Sequence, residues 1–587
     1  MTIDQQQEQL SSFEIEKHED KSLEDQYKSW REFRIQNKKI KLFLTGFLTF
    51  FIIGGLIIAL SVHGTNDQEN AHTANKRGQK YVYIQQRLKI FLFGVLGKRA
   101  TVSDDTILTD IDQISEYWGN LRPYADNDPS YFGVTDVGLP YGCQVEQVHV
   151  LHRHGARFPS GVDTTNVQSF ATKVANVLNA GGKFTGPLDF LNTWSMQMGG
   201  ELLVPNGAAM EYKSGVDFWN KYGRTLYDTP PSQAYYNGTG KPKLFFRSTD
   251  FARTIDSLMG WATGFIGPHN TTDYYSILPI PVVGSYNNTL AGFSTCGPFI
   301  APALGLESLS QDLQSALTRI SAYAPASTGL TKTDMQIMQL ICAYEYTIFS
   351  SSDFCKLFTS GEWKDFNNKG NQAFYEACSF GSPRSRAQGL GYTEELIARL
   401  TGNYINVSYS AVNATLDSSE QTFPLNRPFY TDMAHEFSIL GVLTALSIDY
   451  FRVYTGNGFP QSSDQNFHLS QMTPLAARLI TEKIGCVSAN PTATSEIRTQ
   501  YRPTQYGYSA ATATNKFIRM RLNSGILPLN TIRGGYCSVG RTDGLCPLSN
   551  FVASQKDAQK LANYQYVCFQ NYTVNEDNFN NDGAVFP

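Results

Sequence analysis

At three places along the chain a short run of buried-type residues breaks off into a polar tip, and a tight loop or a helix-period pattern takes over. Residues 145–151 (VEQVHVL) are rich in β-branched side chains and read as a buried strand. They run into His152-Arg153-His154-Gly155-Ala156-Arg157-Phe158-Pro159, where Gly and Pro bracket a tight loop. Residues 243–246 read as a second strand ending in Arg247-Ser248-Thr249-Asp250. A helix follows, with Phe251, Ile255, Leu258, Trp261 and Phe265 at three- to four-residue spacing. Residues 428–433 read as a third strand ending in Ala434-His435-Glu436. Behind it Ile439, Leu440, Leu443 and Leu446 fall on one helix face. Further helices are expected over 310–323, 332–350 and 393–400. Parallel strands would bring the three tips to one sheet edge, where ligands of open α/β sheets collect.

One run is of another kind. Residues 42–62, from Leu42 to Val62 (LFLTGFLTFFIIGGLIIALSV), carry no charge and are long enough to cross a bilayer as a helix. A cleaved signal peptide starts near the N-terminus with a short charged stretch, whereas a long polar, charged segment precedes this run, so a retained anchor is expected. Arg31, Arg34, Lys38, Lys39 and Lys41 crowd the leading flank; the first basic residues on the trailing side are Lys76 and Arg77. The positive-inside rule then gives a cytosolic tail over 1–41, a transmembrane signal-anchor helix over 42–62, a stem over 63–105 and a domain over 106–587 on the far side. That is a single-pass type II membrane protein of the secretory pathway. The apolar run at 90–96 is too short to span and reads as a packed helical turn or an interfacial contact.

Composition narrows the class. With 587 residues, 41% hydrophobic and 17% charged, the chain has the apolar content for a large packed core and exceeds what one core usually serves. Forty-eight basic against 52 acidic residues give a net charge of -4, which argues against a nucleic-acid partner. No repeat of solenoid or propeller period occurs. None of the nine cysteines precedes Cys143, and the Asn-x-Ser/Thr acceptors Asn237, Asn270, Asn287, Asn406, Asn413 and Asn571 all follow the apolar span as well. Together they place the later part in an oxidising, glycosylating compartment.

The chemistry concentrates at the three tips, which offer Arg153, His154 and Arg157, then Arg247, then His435 with Glu436. Guanidinium forks match phosphate oxygens bidentately. An imidazole between two arginines has its pKa lowered, stays neutral in mild acid and can attack phosphorus. A carboxyl group beside it can protonate a leaving oxygen. A zinc site at His149, His152 and His154 lacks an acidic or further histidine ligand nearby, and the arginines repel a cation, so no metal or cofactor is implied. His149 and His152 read as structural.

RHGARFP, residues 153–159, resembles the signature of the histidine acid phosphatases of the phosphoglycerate mutase-like superfamily, and the wider chain resembles their fungal phytase-like branch. YGCQVEQVHVLHRHGARFP, ICAYEYTIFSSSDFCKLFTSGEW, GLGYTEELIARLTG, LDSSEQTFPLN and RMRLNSGILPLNTIRGGYC carry the likeness, in order, from about residue 114 to 569. The resemblance implies an α/β fold: a parallel sheet domain flanked by helices, with an inserted, smaller helical domain and the site between them. It implies His154 as the nucleophile that becomes phosphohistidine, and Glu436 as proton donor where most fungal relatives have Asp. Arg153, Arg157, Arg247 and His435 are implied as phosphate ligands. It implies the disulfides Cys143–Cys486, Cys296–Cys568, Cys342–Cys355 and Cys537–Cys546, with Cys378 left over. The activity implied is an acid phosphomonoesterase acting on a small phosphorylated substrate, with phytate as a candidate. Two other readings stay open, a phosphotransferase or mutase of the same superfamily and a membrane-tethered binding protein with an inactive site. Many fungal phytases place a basic residue before the second cysteine of the Cys342/Cys355 segment. Here that stretch is Ser350-Ser351-Ser352-Asp353, and Arg384 and Arg386 are the candidates to replace its charge.

Overall fold

The computed structural model describes residues 103–586 except 231, 239–240, 269–272, 284–285, 298–312, 454–458, 460–464, 538–539 and 573–580. The expected anchor, cytosolic tail and nearly all of the stem lie outside the described residues, as does Asn270. Among the described residues no helix is long and apolar enough to cross a membrane. Val102–Pro587 forms one compact unit. Packing has begun by Asp104, whose carbonyl accepts from the Gly361 amide.

Among the described residues eight strands form one sheet: β1 (Cys143–Arg153), β2 (Leu244–Thr249), β3 (Tyr275–Ile280), β4 (Phe429–Ala434), β5 (Arg478–Cys486), β6 (Asn515–Leu522), β7 (Gly525–Ile526) and β8 (Cys546–Pro547). Their order is β3-β2-β4-β1-β5-β6-β7, with β8 on β6. Only β3, β2, β4 and β1 pair in parallel; β5 to β8 pair antiparallel. The expectation of a parallel sheet is therefore corrected to a mixed α/β sheet flanked by helices. The parallel half needs helical crossovers; those after β2 and β4 and three between β3 and β4 lie where periodicity put them, whereas both helices between β1 and β2, and the one over Ser360–Cys378, were not foreseen. Between β1 and β2 lie α1 (Gly161–Asn179) and α2 (Pro205–Phe218). Between β2 and β3 lies α3 (Ala252–Ile266). Between β3 and β4 lie α4 (Leu313–Ser321), α5 (Lys332–Phe349), α6 (Ser360–Cys378) and α7 (Ser385–Thr401). After β4 comes α8 (Glu436–Ala445). The antiparallel half needs none: β6 turns into β7 through Asn523 and Ser524, both at positive φ (48° and 73°), the two-residue turn whose twist suits a hairpin.

The expected helix at 310–323 is α4, whose first expected residues lie outside the described set. That at 332–350 is α5, started by a Thr331/Asp334 capping box. That at 393–400 is the second half of α7.

Each sheet face buries its own cluster. Val148, Phe218, Trp261, Phe265 and Phe429 pack beneath α2 and α3; Leu151, Ile439, Leu443, Ile518 and Met520 pack on the other side with α8. A third cluster is helical: Val167 and Phe170 of α1, Ile320 of α4, Met338 and Ile341 of α5 and Trp363 of α6. Helices α2 and α3 touch backbone to backbone: a Cβ on Gly215 would lie 1.9 Å from the Trp261 carbonyl oxygen. The disulfides are Cys143–Cys486, Cys296–Cys568, Cys342–Cys355 and Cys537–Cys546. The first staples register partners of β1 and β5. Cys378 is free and buried.

Candidate active site

Strands β1 and β4 end side by side, with Arg153 opposite Ala434 in register. The next residues, His154 and His435, therefore face each other at the carboxyl edge, ring centroids 5.5 Å apart and edge-on. The His154 amide bonds the Ala434 carbonyl, and its own carbonyl accepts from Ala476. Gly155 lets the loop press against the start of α2, since a Cβ there would meet the Gly207 carbonyl oxygen at 2.6 Å. Its amide donates to Ser257 on α3.

His154 is buried, and its Nδ1 lies 2.9 Å from the Gly155 carbonyl oxygen. A carbonyl only accepts, so the proton of the neutral ring sits on Nδ1 and Nε2 carries the lone pair. Burial, then Arg153, Arg157, Arg253 and His435, hold this imidazole well below its usual pKa. Nε2 stands 3.9 Å from Glu436 Oε2. Glu436 opens α8, takes the Arg153 Nε proton at 2.9 Å and accepts from Asn120. Burial would raise this carboxyl, but Arg153 and Arg157 outweigh it, with help from the helix-start amide, and bring it down to about 2. The His435 imidazole is pushed down to about 3, by burial first and then Arg253. Its Nε2 contacts the Thr249 hydroxyl at 3.1 Å, and Phe251 and Phe293 meet its ring edge-on at 5.5 Å each.

Arg153 is fully buried and spends Nη1 on the carbonyls of Thr473 and Asn120. Arg157 is fixed by a bridge to Leu203 and by its bond to the Phe158 carbonyl. Beside it stand Asp163 of α1, whose carboxyl group favours its charge, and the Tyr344 hydroxyl of α5, which donates to Asp163 at 2.6 Å. Arg153 Nη2, Arg157 Nε and Arg253 Nε are buried donors without a hydrogen-bond partner among the described residues.

Arg247 does not join this group. β2 runs on to Thr249, so Arg247 lies inside the strand and not at its tip. Its register partner is Asp432 of β4. Nε donates to Asp432 at 2.7 Å and Nη2 to Glu395 of α7 at 2.6 Å, and Arg399 shares Asp432. A guanidinium so neutralised is a structural cation. The third arginine at the site is Arg253, in the first turn of α3. It stacks on Phe251 at 4.3 Å, pairs with Glu201 at 2.9 Å and acts electrostatically on both His154 and His435. The β-branched Thr249 was the sequence sign of a longer strand, which moves the tip on and leaves Arg253 as the first arginine after it.

His149 stacks on Tyr430 and contacts Gln147, while His152 bonds Ser214 and the Arg153 carbonyl. Both are structural. Arg384 and Arg386 are committed elsewhere: Arg384 Nε donates to the Tyr572 hydroxyl, and buried Arg386 bonds Ser447, Asp582 and the Thr444 carbonyl. Among the described residues, His154, His435 and Glu436 have their donor atoms within 4.8 Å of one another, close enough to hold a cation. The three guanidiniums around them favour an anion instead.

Comparison with known proteins agrees with this geometry. The profile of the histidine phosphatase superfamily (branch 2) matches residues 144–523. The chain belongs to that family and is a phosphatase of phosphate monoesters. Phytase A of Aspergillus fumigatus is 28% identical over 462 residues, covering 77% of this chain and 90% of that protein. Phytase A of Aspergillus terreus is 27% identical over 485 residues with the same coverage. The crystal structure of the phytase from D. castellii shares the fold, with a TM-score of 0.55 at 19% identity over 78% of this chain and 88% of that one.

Proposed function

We propose that the chain hydrolyses phosphate monoesters through a phosphohistidine at His154, and that inositol phosphates such as phytate are among its substrates. The observation that carries the mechanism is the His154 tautomer. With Nδ1–H committed to the Gly155 carbonyl, Nε2 is an uncharged nucleophile among three arginines with unmet donors. The substrate phosphoryl group docks on Arg153, Arg157 and Arg253, with His435 beside it. Nε2 attacks phosphorus, the bond to the ester oxygen breaks, and Glu436 gives that oxygen a proton. In the free site Glu436 is ionised by its arginines. A bound dianion offsets those charges and lifts the carboxyl group, so the proton is taken up with the substrate. Water then attacks the phosphohistidine, Glu436 takes its proton, and inorganic phosphate leaves with His154 restored.

The phytate reading rests on the relatives named phytase A. The helical layer of α1, α4 and α5 reads as the inserted smaller domain, because Asp163 and Tyr344 reach from it to Arg157. The uncharged 42–62 run supports a type II anchor. Asn237, Asn287, Asn406 and Asn571 are exposed, as glycosylation requires. The mechanism is tested by rapid quench with a radiolabelled phosphate ester. Acid-labile label is expected on the wild type and none on His154→Ala. Label or turnover persisting in a folded His154→Ala protein would overturn it.

A further inference from the structure

The sheet has charged lining at its other end. Gln144 lies nine residues before Arg153 on β1, roughly 30 Å away at about 3.3 Å per residue. Beside it opens a cavity of about 290 Å³ between the helical turn after α2 and the antiparallel strands β5 and β6. Four cations line it, Lys221, Arg498, Arg519 and Arg521, against one carboxylate, Glu482.

That carboxylate is already spent. Arg519 Nε and Arg521 Nε donate to its two oxygens at 2.6 and 2.9 Å, and the Tyr222 hydroxyl donates at 2.7 Å. The arginines give Nη1 to the carbonyls of Gly138 and Ser524, and Nη2 of each has no partner among the described residues. Arg498 gives Nη2 to the Leu139 carbonyl. Lys221, at the rim, has no ion pair among the described residues. The acids on its other side are taken, Asp217 by Lys213 and Asp126 by the hydroxyls of Tyr124 and Ser524. The two buried arginines thus exceed Glu482 by one positive charge, and exposed Lys221 adds a second at the rim, while Arg498 is answered by Glu496 at 4.0 Å.

Buried surplus charge is costly unless something repays it, and forked donors around a polar cavity match a tetrahedral dianion. We propose that this cavity is a second anion site that binds a phosphoryl group, as inorganic phosphate or as the phosphate of a small ester. The inference does not depend on how catalysis proceeds, because the cavity and the catalytic tips lie at opposite ends of β1.

Hydrogen exchange read by mass spectrometry on the full-length chain locates the binding. Inorganic phosphate is expected to slow exchange in segments 137–145 and 219–226 as well as in 153–158 at the catalytic loop. In Lys221→Gln/Arg498→Gln, the concentration needed to protect the first two segments should rise about a hundredfold, on the order of tenfold for each lost cation. Protection of 153–158 should stay, which also shows that the variant is folded. Glycerol phosphate, added to His154→Ala so that it is not consumed, distinguishes the sources. Protection by the ester alone assigns the ester, and protection by both assigns the phosphoryl group itself. No protection of 137–145 and 219–226 by either compound overturns the proposal. So does equal protection by chloride at matched ionic strength, or protection unchanged in the double variant.

Discussion

Exchanging the roles of two arginines gives the sharpest test of the site. Arg247→Met removes a cation wedged between Asp432 and Glu395, all three nearly inaccessible. Arg399 still serves Asp432, but Glu395 is left with the Thr289 hydroxyl and the neighbouring Asp417 carboxyl and loses its cation. Breaking a buried pair in this way costs about 3–5 kcal/mol. Unfolding entropy of about 2.1 cal/mol/K per residue over roughly 480 residues comes to about 1 kcal/mol/K, so Tm should fall by about 3–5 °C. Activity measured well below Tm should change little. Arg253→Gln does the reverse. Its partner Glu201 is 45% exposed and can be left to water, so Tm should hold. The lost charge-assisted contact to the phosphoryl group is worth about 1.5–3 kcal/mol, or about ten- to hundredfold in kcat/KM. The assay pairs thermal unfolding with kcat/KM on nitrophenyl phosphate for both variants. A large kinetic loss in Arg247→Met at unchanged Tm, with Arg253→Gln near wild type, would refute the assignment and return Arg247 to the phosphate.

Glu436→Gln should cost about a hundred- to ten-thousandfold on glycerol phosphate and far less on nitrophenyl phosphate, whose leaving group needs no proton; equal losses would mean that the carboxyl group only positions Arg153. Acid should destabilise the free protein. His435 titrates at about 3 folded but near 6.5 unfolded, so the unfolded chain binds the extra proton and stability declines as pH falls from 6.5 toward 3. The Glu436 contribution, present above 4.5, is lost as pH falls toward 2. Because a bound dianion raises both groups, the Tm gain from sulfate, which stays dianionic throughout, should grow as pH drops from 6.5 to 4, and a gain that shrinks over that range would contradict the coupling. In sealed vesicles, protease added on the cytosolic side should trim residues 1–41 and spare the portion after residue 62; a protected tail, or release of the chain by alkaline carbonate, would exclude the type II anchor.

Three strands of the parallel half, β1, β2 and β4, were legible because each is a local event, an apolar run meeting a polar tip and then a loop or a helix period; β3 (YSILPI) ends in no such tip and was missed. The antiparallel half was not legible either. Residues 478–486 (RLITEKIGC) and 515–522 (NKFIRMRL) put Glu482, Arg519 and Arg521 on a buried face, which reads as solvated until the strands pair and both arginines reach the one carboxylate across them. The same blindness misplaced Arg247. Nothing within the FFRST segment announces Asp432, nearly two hundred residues away, as its register partner. Only a longer strand, hinted at by Thr249, would have moved the reading to Arg253. His154, Arg153, Arg157, His435 and Glu436 were found together because their order along the chain already states the geometry: strand, tip, and helix or loop.

The charges at those tips also decide what kind of ligand the site accepts. At rest the two imidazoles are neutral and Glu436 is ionised, so three guanidiniums face Glu436 inside the site and half-exposed Glu201 on the outer side of Arg253. The net positive charge suits a phosphoryl dianion, and it works against the cation that the donor spacing of His154, His435 and Glu436 would otherwise admit. In the proposed mechanism the same charges tie Glu436, as proton donor, to occupancy. Arg153 and Arg157 hold Glu436 down in the free site, and a phosphoryl group bound to them would let it gather a proton. Protonation of the leaving group would then be confined to the complex, from a free site in which Nε2 of His154 and the carboxylate already lie 3.9 Å apart.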